Sequence, residues 1–494
     1  MMSAVSEQNQ QATGHRFSIL LPFLLLFLPF AILPFHLVQI GHQNDWVAFS
    51  NERGGVTWYV WLVLVPMTVL GSWLLYRLPL AAFNRLSVKL VVAGAVLLAI
   101  PLFFSPPIFS GDIYHSLFYG ESSTLGLNPY LTTVADRPAS VYAPSVFFGY
   151  DRLPAPYGPL WLRLMQISSV FFGDNVAANI LFLRCLMLFA HILLVLVAAS
   201  LLMADSATRK KTILMFAWSP ALLLFTVSEL HSDVLVGLGI GLAVLAARRR
   251  RMWVSLLIIT TAGLLKPTAL IIAPLLMAWY LATEGKKAIA RLLFSTLVST
   301  ALALLIVMPL WAGTKTFDGI RQQAALVSTT YIQTPLAFFL TGRDHTLPVR
   351  TSGLQADELV RERLLTQPIQ NLRLPSTAVR GATLLSMAAF AAIFFWIAMQ
   401  LLRKKLPLIF MLLSALMALL FFGMHWFMPW YILWVLPLAL AEFRVAKVTA
   451  LYLLALIPAL FYQPVLGMIF FGFVAGFVNA LLRAFRNGDA EKTA

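Results

Sequence analysis

Reactive side chains are concentrated in four short stretches of a chain that is otherwise strongly apolar. The first is Ser110-Gly111-Asp112-Ile113-Tyr114-His115, and the second is Glu229-Leu230-His231-Ser232-Asp233. The third is Lys266-Pro267, and the fourth is His425-Trp426 followed by Pro429-Trp430-Tyr431. Each lies at the end of a hydrophobic run. An ionisable group at the edge of a bilayer is costly and usually has a task.

A carboxylate held among apolar neighbours gains basicity, so Asp112 is a candidate general base, a role that contributes about 10²–10⁴-fold to rate. The same residue type also caps helices well, and spacing alone does not separate the two readings. Glu229, His231 and Asp233 stand two residues apart. They suit a divalent metal through hard oxygens and one imidazole. They suit sugar hydroxyls equally, or a helix start with Ser232 as its cap. Lys266 has no acid next to it in sequence and suits an anion such as a phosphate, with snorkelling to the interface as the bland alternative. Arg184, inside an apolar run, pairs with an acid or meets a lipid phosphate. His425, Trp426 and Trp430 read as an aromatic belt or as faces for sugar rings.

The elements that position these residues are membrane helices. The chain of 494 residues is 60% hydrophobic and 11% charged, against about 25% charged in soluble domains. Apolar runs of bilayer-spanning length recur throughout. Spans are expected near 17–40, 56–76, 87–104, 177–203, 212–228, 234–247, 252–265, 267–283, 290–312, 379–402, 407–423, 430–443, 446–461 and 464–482. The expected fold is an all-α polytopic bundle of about 12–14 transmembrane helices. The pair flanking Lys266 reads as a broken or re-entrant element. The lone Cys185 excludes a disulfide within the chain and reads as a packing residue.

The net charge of +16 does not point to nucleic acid, because the basic residues sit in short clusters between spans, such as Arg209 to Lys211 and Arg248 to Arg251. Such clusters mark cytoplasmic loops. The expected organisation is a cytoplasmic tail (1–16), a polytopic domain (17–482) crossing the cell membrane and a cytoplasmic tail (483–494). Two long external connections are expected, about 105–175 and 314–377. The first carries Asp112 and ends in an amphipathic helix, Leu160 to Phe172, lying at the interface. The second carries the charge run Asp357 to Arg363, read as a solvated helix. On this topology all four reactive stretches fall on the external face.

No P-loop, Gly-rich dinucleotide fingerprint or paired CxxC is present. An enzyme of this composition must receive its energy in an activated substrate already in the membrane.

The stretches SGDIYHSLFYGESSTLGLNPY (110–130), APYGPLWL (155–162), WSPALLLFTVSELHSDVLVG (218–237), LLKPTALIIAP (264–274) and MPWYILWVLPL (428–438) occur in the order seen in GT-C glycosyltransferases. The chain resembles the members that use polyprenyl-phosphate sugars, especially bacterial polyprenyl-phosphate-mannose-dependent α-mannosyltransferases, including glycosyltransferase family 87. The resemblance implies a GT-C-like architecture with Asp112 as catalytic carboxylate of a large first external loop. It implies transfer of a hexose, most often mannose, from a polyprenyl-phosphate carrier to a glycolipid or glycan outside the cytoplasm. It also implies catalysis with no metal or other cofactor, against the metal reading of 229–233. The family often has an aromatic at the position of Ser116 and Asn at that of Ser232. Within this frame Tyr114, His115, Asn128, Tyr130, Tyr157, Glu229, His231, Asp233, His425, Trp426 and Trp430 are candidates for binding sugar. Lys266 and Arg152 are candidates for the lipid phosphate. A flippase for a lipid-linked sugar is the alternative. It is disfavoured because no internal repeat is found and the polar groups gather at one face.

Overall fold

A computed structural model describes residues 19–36, 59–84, 86–107, 110–146, 151–202, 204–324, 376–403, 407–424 and 428–441. The expected spans 446–461 and 464–482, the charge run 357–363, His425 and Trp426 lie outside the described residues. Within them the chain is all-α and polytopic.

The main helices are α1 (Ile19–His36), α2 (Val65–Arg77), α3 (Val88–Ala99), α4 (Asp112–Thr124), α5 (Pro159–Phe172), α6 (Val176–Leu201), α7 (Ser206–Ala217) and α8 (Pro220–Ser228). They continue with α9 (Asp233–Arg248), α10 (Met252–Leu265), α11 (Ile272–Glu284), α12 (Lys287–Val307), α13 (Ser376–Leu402), α14 (Leu408–Ala418) and α15 (Ile432–Ala441). Among the described residues five helices are long and apolar enough to cross a membrane, and α7 with α8 makes a sixth, bent by 48°. Several other apolar helices, α10 and α15 among them, are shorter than a full span.

Sequence explains the boundaries. Asn175 caps α6 through the Ala178 N–H at 3.0 Å, as its amide oxygen is suited to do. Pro159 opens α5 at the position where its missing N–H costs nothing. The break after Ala217 was not expected, since 212–228 reads as one run. Ser219-Pro220 is a start signal, and the Ser219 hydroxyl caps α8. The chain also breaks at Lys266, as expected: α10 stops at Leu265, Lys266 is extended, and a 3₁₀ turn (Pro267–Ile271) leads into α11. Cys185 is exposed on α6 and not packed.

The centre of the bundle is α9, packed against α6, α10 and α15. Small residues let helices approach closely where lipid gives them little hydrophobic reason to associate. A Cβ on Gly237 would lie 2.1 Å from the Leu433 carbonyl oxygen, so glycine there sets how near α15 comes. That approach brings Trp434, on the first turn of α15, to Asp233, the first residue of α9.

Candidate active site

Four segments converge at one end of α9: the start of α4, the link between α8 and α9, the extended residue after α10, and the entry to α15. Gly158, just ahead of α5, joins this group. Its N–H donates to the Leu265 carbonyl at 3.1 Å, and a Cβ there would stand 2.3 Å from the Leu264 oxygen. The loop thus lies directly on the turn that holds Lys266.

Asp112 is the first residue of α4, and Gly111 occupies the capping position. Its carboxylate therefore does not cap the helix. The side chain is 46% exposed, and Oδ2 stands 3.9 Å from Nδ1 of the buried His231. His231 stacks on Trp430 with ring centroids 3.6 Å apart. Burial, with the Lys266 ammonium nearby, holds its imidazole well below the ordinary histidine pKa, so the ring is neutral. Among the described residues its Nε2 has no hydrogen-bond partner.

The 229–233 motif is neither a strand with three side chains on one edge nor a helix with two on one face. Leu230 has φ 59°, a left-handed conformation that is strained for a branched side chain. This turn separates the two carboxylates. Glu229 Oε2 accepts the Ser110 N–H at 2.8 Å, and Oε1 accepts the Ser228 hydroxyl at 2.7 Å. Asp233 accepts Lys266 Nζ at 2.8 and 2.9 Å and Trp434 Nε1 at 2.6 Å. Ser232 precedes α9 but its hydroxyl makes no capping bond.

Lys266, with no acid beside it in sequence, thus has one across the fold. Its ammonium also lies 4.8 Å from the Tyr431 ring centroid and 5.3 Å from that of Trp434, within cation–π range. Its side chain is 19% exposed.

Tyr114 is buried on α4. His115 is also buried, and its Nε2 pairs with Tyr119 Oη at 2.6 Å, whose hydroxyl donates to the Leu153 carbonyl. This part of α4 lies outside the apolar spans, and burial pushes the His115 imidazole down to about 3. Asn128 donates to the Leu310 carbonyl at 3.0 Å and accepts the Tyr130 N–H. Tyr130 donates to the Tyr157 carbonyl. Burial raises the Tyr157 phenol well above its ordinary value, with Asp112 adding to the effect. Ser116 donates to the Asp112 carbonyl and accepts Trp161 Nε1. Arg152 is exposed and bonds to none of these groups among the described residues.

The structure therefore brings together Asp112, Glu229, His231, Asp233, Lys266 and Trp430. It leaves His115 and Tyr130 as ties within the loop, and Asn128 as a tie from the loop to Leu310. Ser110 and Tyr431 stand within the reactive stretches without a role of their own, and Ser228 and Trp434 are not among the candidates. For Trp434 a signal exists: it follows Trp430 by four residues, a spacing that shares a helix face.

Among the described residues no group of three His, Cys, Asp or Glu side chains converges as metal ligands. The arrangement presents one open carboxylate over a wall of imidazole and indole, with a lysine alongside. It suits proton removal beside a ring-shaped, partly anionic substrate.

The family model for "Alpha-(1->6)-mannopyranosyltransferase, N-terminal domain" matches residues 31–283, just over half of the chain. That range holds Asp112, Glu229, His231, Asp233 and Lys266. An alpha-(1->6)-mannopyranosyltransferase A of Mycobacterium tuberculosis is 30% identical over 233 residues, covering 46% of this chain and 44% of that protein. The protein of that name in Corynebacterium glutamicum is 22% identical over 258 residues, 49% of this chain and 52% of the relative. An alpha-(1->6)-mannopyranosyltransferase B from the same organism is 25% identical over 187 residues, 35% and 31%. The chain spans about half the length or less of the curated relatives it matches. No solved structure matches it.

Proposed function

Since the chain belongs to the alpha-(1->6)-mannopyranosyltransferase family, we propose that it transfers mannose, in α-(1→6) linkage, from a polyprenyl-phosphate carrier to a glycolipid or glycan acceptor. One observation carries the assignment of roles: Asp112 is 46% exposed, whereas Glu229 and Asp233 beside it are 1% exposed and engaged by protein donors. Asp112 is the carboxylate of the cluster that an incoming hydroxyl can reach.

In the proposed step the acceptor oxygen forms a bond to the anomeric carbon of mannose as the bond from that carbon to the phosphate oxygen breaks. The acceptor proton goes to Asp112, and the electron pair leaves on the lipid phosphate. Lys266 shares its ammonium between Asp233 and the departing phosphate, an electrostatic role that is strongest where water is excluded. His231 and Trp430, stacked with ring centroids 3.6 Å apart, wall the site beside Asp112.

The site is assigned to the extracytoplasmic face of the cell membrane. Arg248 to Arg251 stand at the far ends of α9 and α10, about 24 Å away along a 16-residue helix. Lys and Arg clusters of this kind are retained inside, which also supports cytoplasmic termini.

The test is transfer from polyprenyl-phosphate mannose to a mannosyl glycolipid by the protein in vesicles, with the product linkage checked by an α-(1→6)-specific mannosidase. Asp112→Asn is expected to lower turnover about 10²–10⁴-fold, the range for loss of a general base. Near-wild-type turnover in that variant would remove Asp112 from the role, and lipid movement with no new glycosidic bond would make the protein a flippase.

A further inference from the structure

We propose that Glu229 and Arg184 are positioning residues whose task is to hold the backbone that carries Asp112, and that Glu229 does not bind sugar. This rests on the mannosyl-transfer reading above. The hydrogen bonds form a continuous route. Arg184, fully buried in the middle of α6, donates from Nε to the Val227 carbonyl at 3.1 Å and from an Nη to the Ser228 carbonyl at 3.2 Å. Ser228 donates its hydroxyl to Glu229 Oε1, and Glu229 Oε2 accepts the Ser110 N–H at 2.8 Å. Ser110 Oγ in turn accepts the Asp112 N–H at 3.2 Å.

The electrostatics follow the same line. Glu229, at the α8–α9 link, lies near enough for its carboxylate to offset part of the cost of burying the Arg184 charge. The guanidinium thus meets that link through hydrogen bonds and charge alike. A charged arginine inside an apolar helix is expensive, and here it is spent on the turn below Asp112. The strained Leu230 follows directly after Glu229. Such a conformation persists only where its surroundings fix it from several sides, and the bonds of Glu229 and Arg184 supply that constraint. A displacement of about 1 Å at a reacting group costs on the order of 10²-fold in rate, so a strap of this kind acts on turnover and not on affinity.

Kinetics and backbone hydrogen exchange, measured on the full-length protein in detergent, test this together. In Glu229→Ala, kcat is expected to fall about 10²-fold with the KM for polyprenyl-phosphate mannose unchanged, and amides 110–114 are expected to exchange faster. Glu229→Gln keeps an acceptor oxygen for Ser110 and is expected to restore most of both. Ser228→Ala leaves the carboxylate and removes one bond that orients it; it carries the same test, with kcat lowered about tenfold, should Glu229→Ala not fold. A raised KM with kcat intact would make Glu229 a substrate ligand and overturn the proposal. Faster exchange without loss of kcat would also overturn it, leaving a strap irrelevant to catalysis. Absence of mannosyl transfer by the wild-type protein would instead defeat the functional reading, while the exchange data still judge the strap.

Discussion

Lys266 Nζ lies 2.8 and 2.9 Å from the two carboxylate oxygens of Asp233, a residue 33 positions earlier in the chain, and Trp434 donates its indole N–H to the same carboxylate. The lysine is 19% exposed and the aspartate 1%. A cation proposed to meet a phosphate is therefore already half-neutralised, anchored on one side and open on the other.

The first prediction uses this asymmetry. Lys266→Met leaves a buried carboxylate without its cation, and breaking a buried pair costs about 3–5 kcal/mol. The single variant is expected to show a clearly lowered unfolding temperature in detergent. Adding Asp233→Asn removes the orphaned charge, and the amide oxygen still accepts from Trp434, so stability is expected to return. Activity is not expected to return, because the phosphate-facing charge is gone. Recovery of both in the double variant would show that Lys266 serves only the ion pair.

Trp434→Phe isolates the third partner. It keeps an aromatic ring beside Tyr431, a smaller one, and deletes the N–H bonded at 2.6 Å. An acceptor that loses a charge-assisted bond in a buried site costs about 1–3 kcal/mol. Thermal unfolding of Trp434→Phe against wild type measures this loss together with that of the larger ring, and equal stability would mean that Lys266 satisfies Asp233 alone.

Much of this arrangement was legible in the sequence, and the remainder was not for identifiable reasons. The helix expected after Pro156-Tyr157-Gly158 appears as α5, and Lys266-Pro267 does break the helical run. Local signals, a proline at a helix start and a polar residue between apolar runs, sufficed there. The break before Pro220 carried such a signal too, but the surrounding residues are so uniformly apolar that the run masks it. The contacts Lys266–Asp233 and Ser110–Glu229 join residues 33 and 119 positions apart. Periodicity reports which face of an element is buried, not which distant element covers it. The link 229–233 eluded both regular patterns because Leu230 turns left-handed, a choice that side-chain type disfavours and tertiary contacts impose.

Stability should depend on pH through His115. An unfolded histidine titrates near 6.5, whereas burial lowers the folded value to about 3. Between those values the unfolded chain binds the extra proton, so stability is full above about pH 6.5 and declines as pH falls below it. The decline from this group is at most about 1.4 kcal/mol per pH unit. Comparing unfolding midpoints from pH 7.5 to 5 for wild type and His115→Gln checks it: the variant should have the shallower acid slope. Parallel slopes would mean that His115 gains a proton in the folded state.

The last prediction concerns metal. A divalent ion at 229–233 would need Glu229, His231 and Asp233 as joint ligands, but Glu229 is committed to Ser110 and Ser228, and Asp233 to Lys266 and Trp434. Bringing the two carboxylates onto one ion would disturb bonds at both and the turn at Leu230 that lies between them. In the mechanism proposed above, Lys266 offers the leaving phosphate the positive charge that a cation would supply. Mannosyl transfer is therefore expected to keep its rate in excess EDTA and to be unchanged by added magnesium or manganese. Loss of activity in chelator, restored by either ion, would refute this, and would require the site to rearrange when substrate binds.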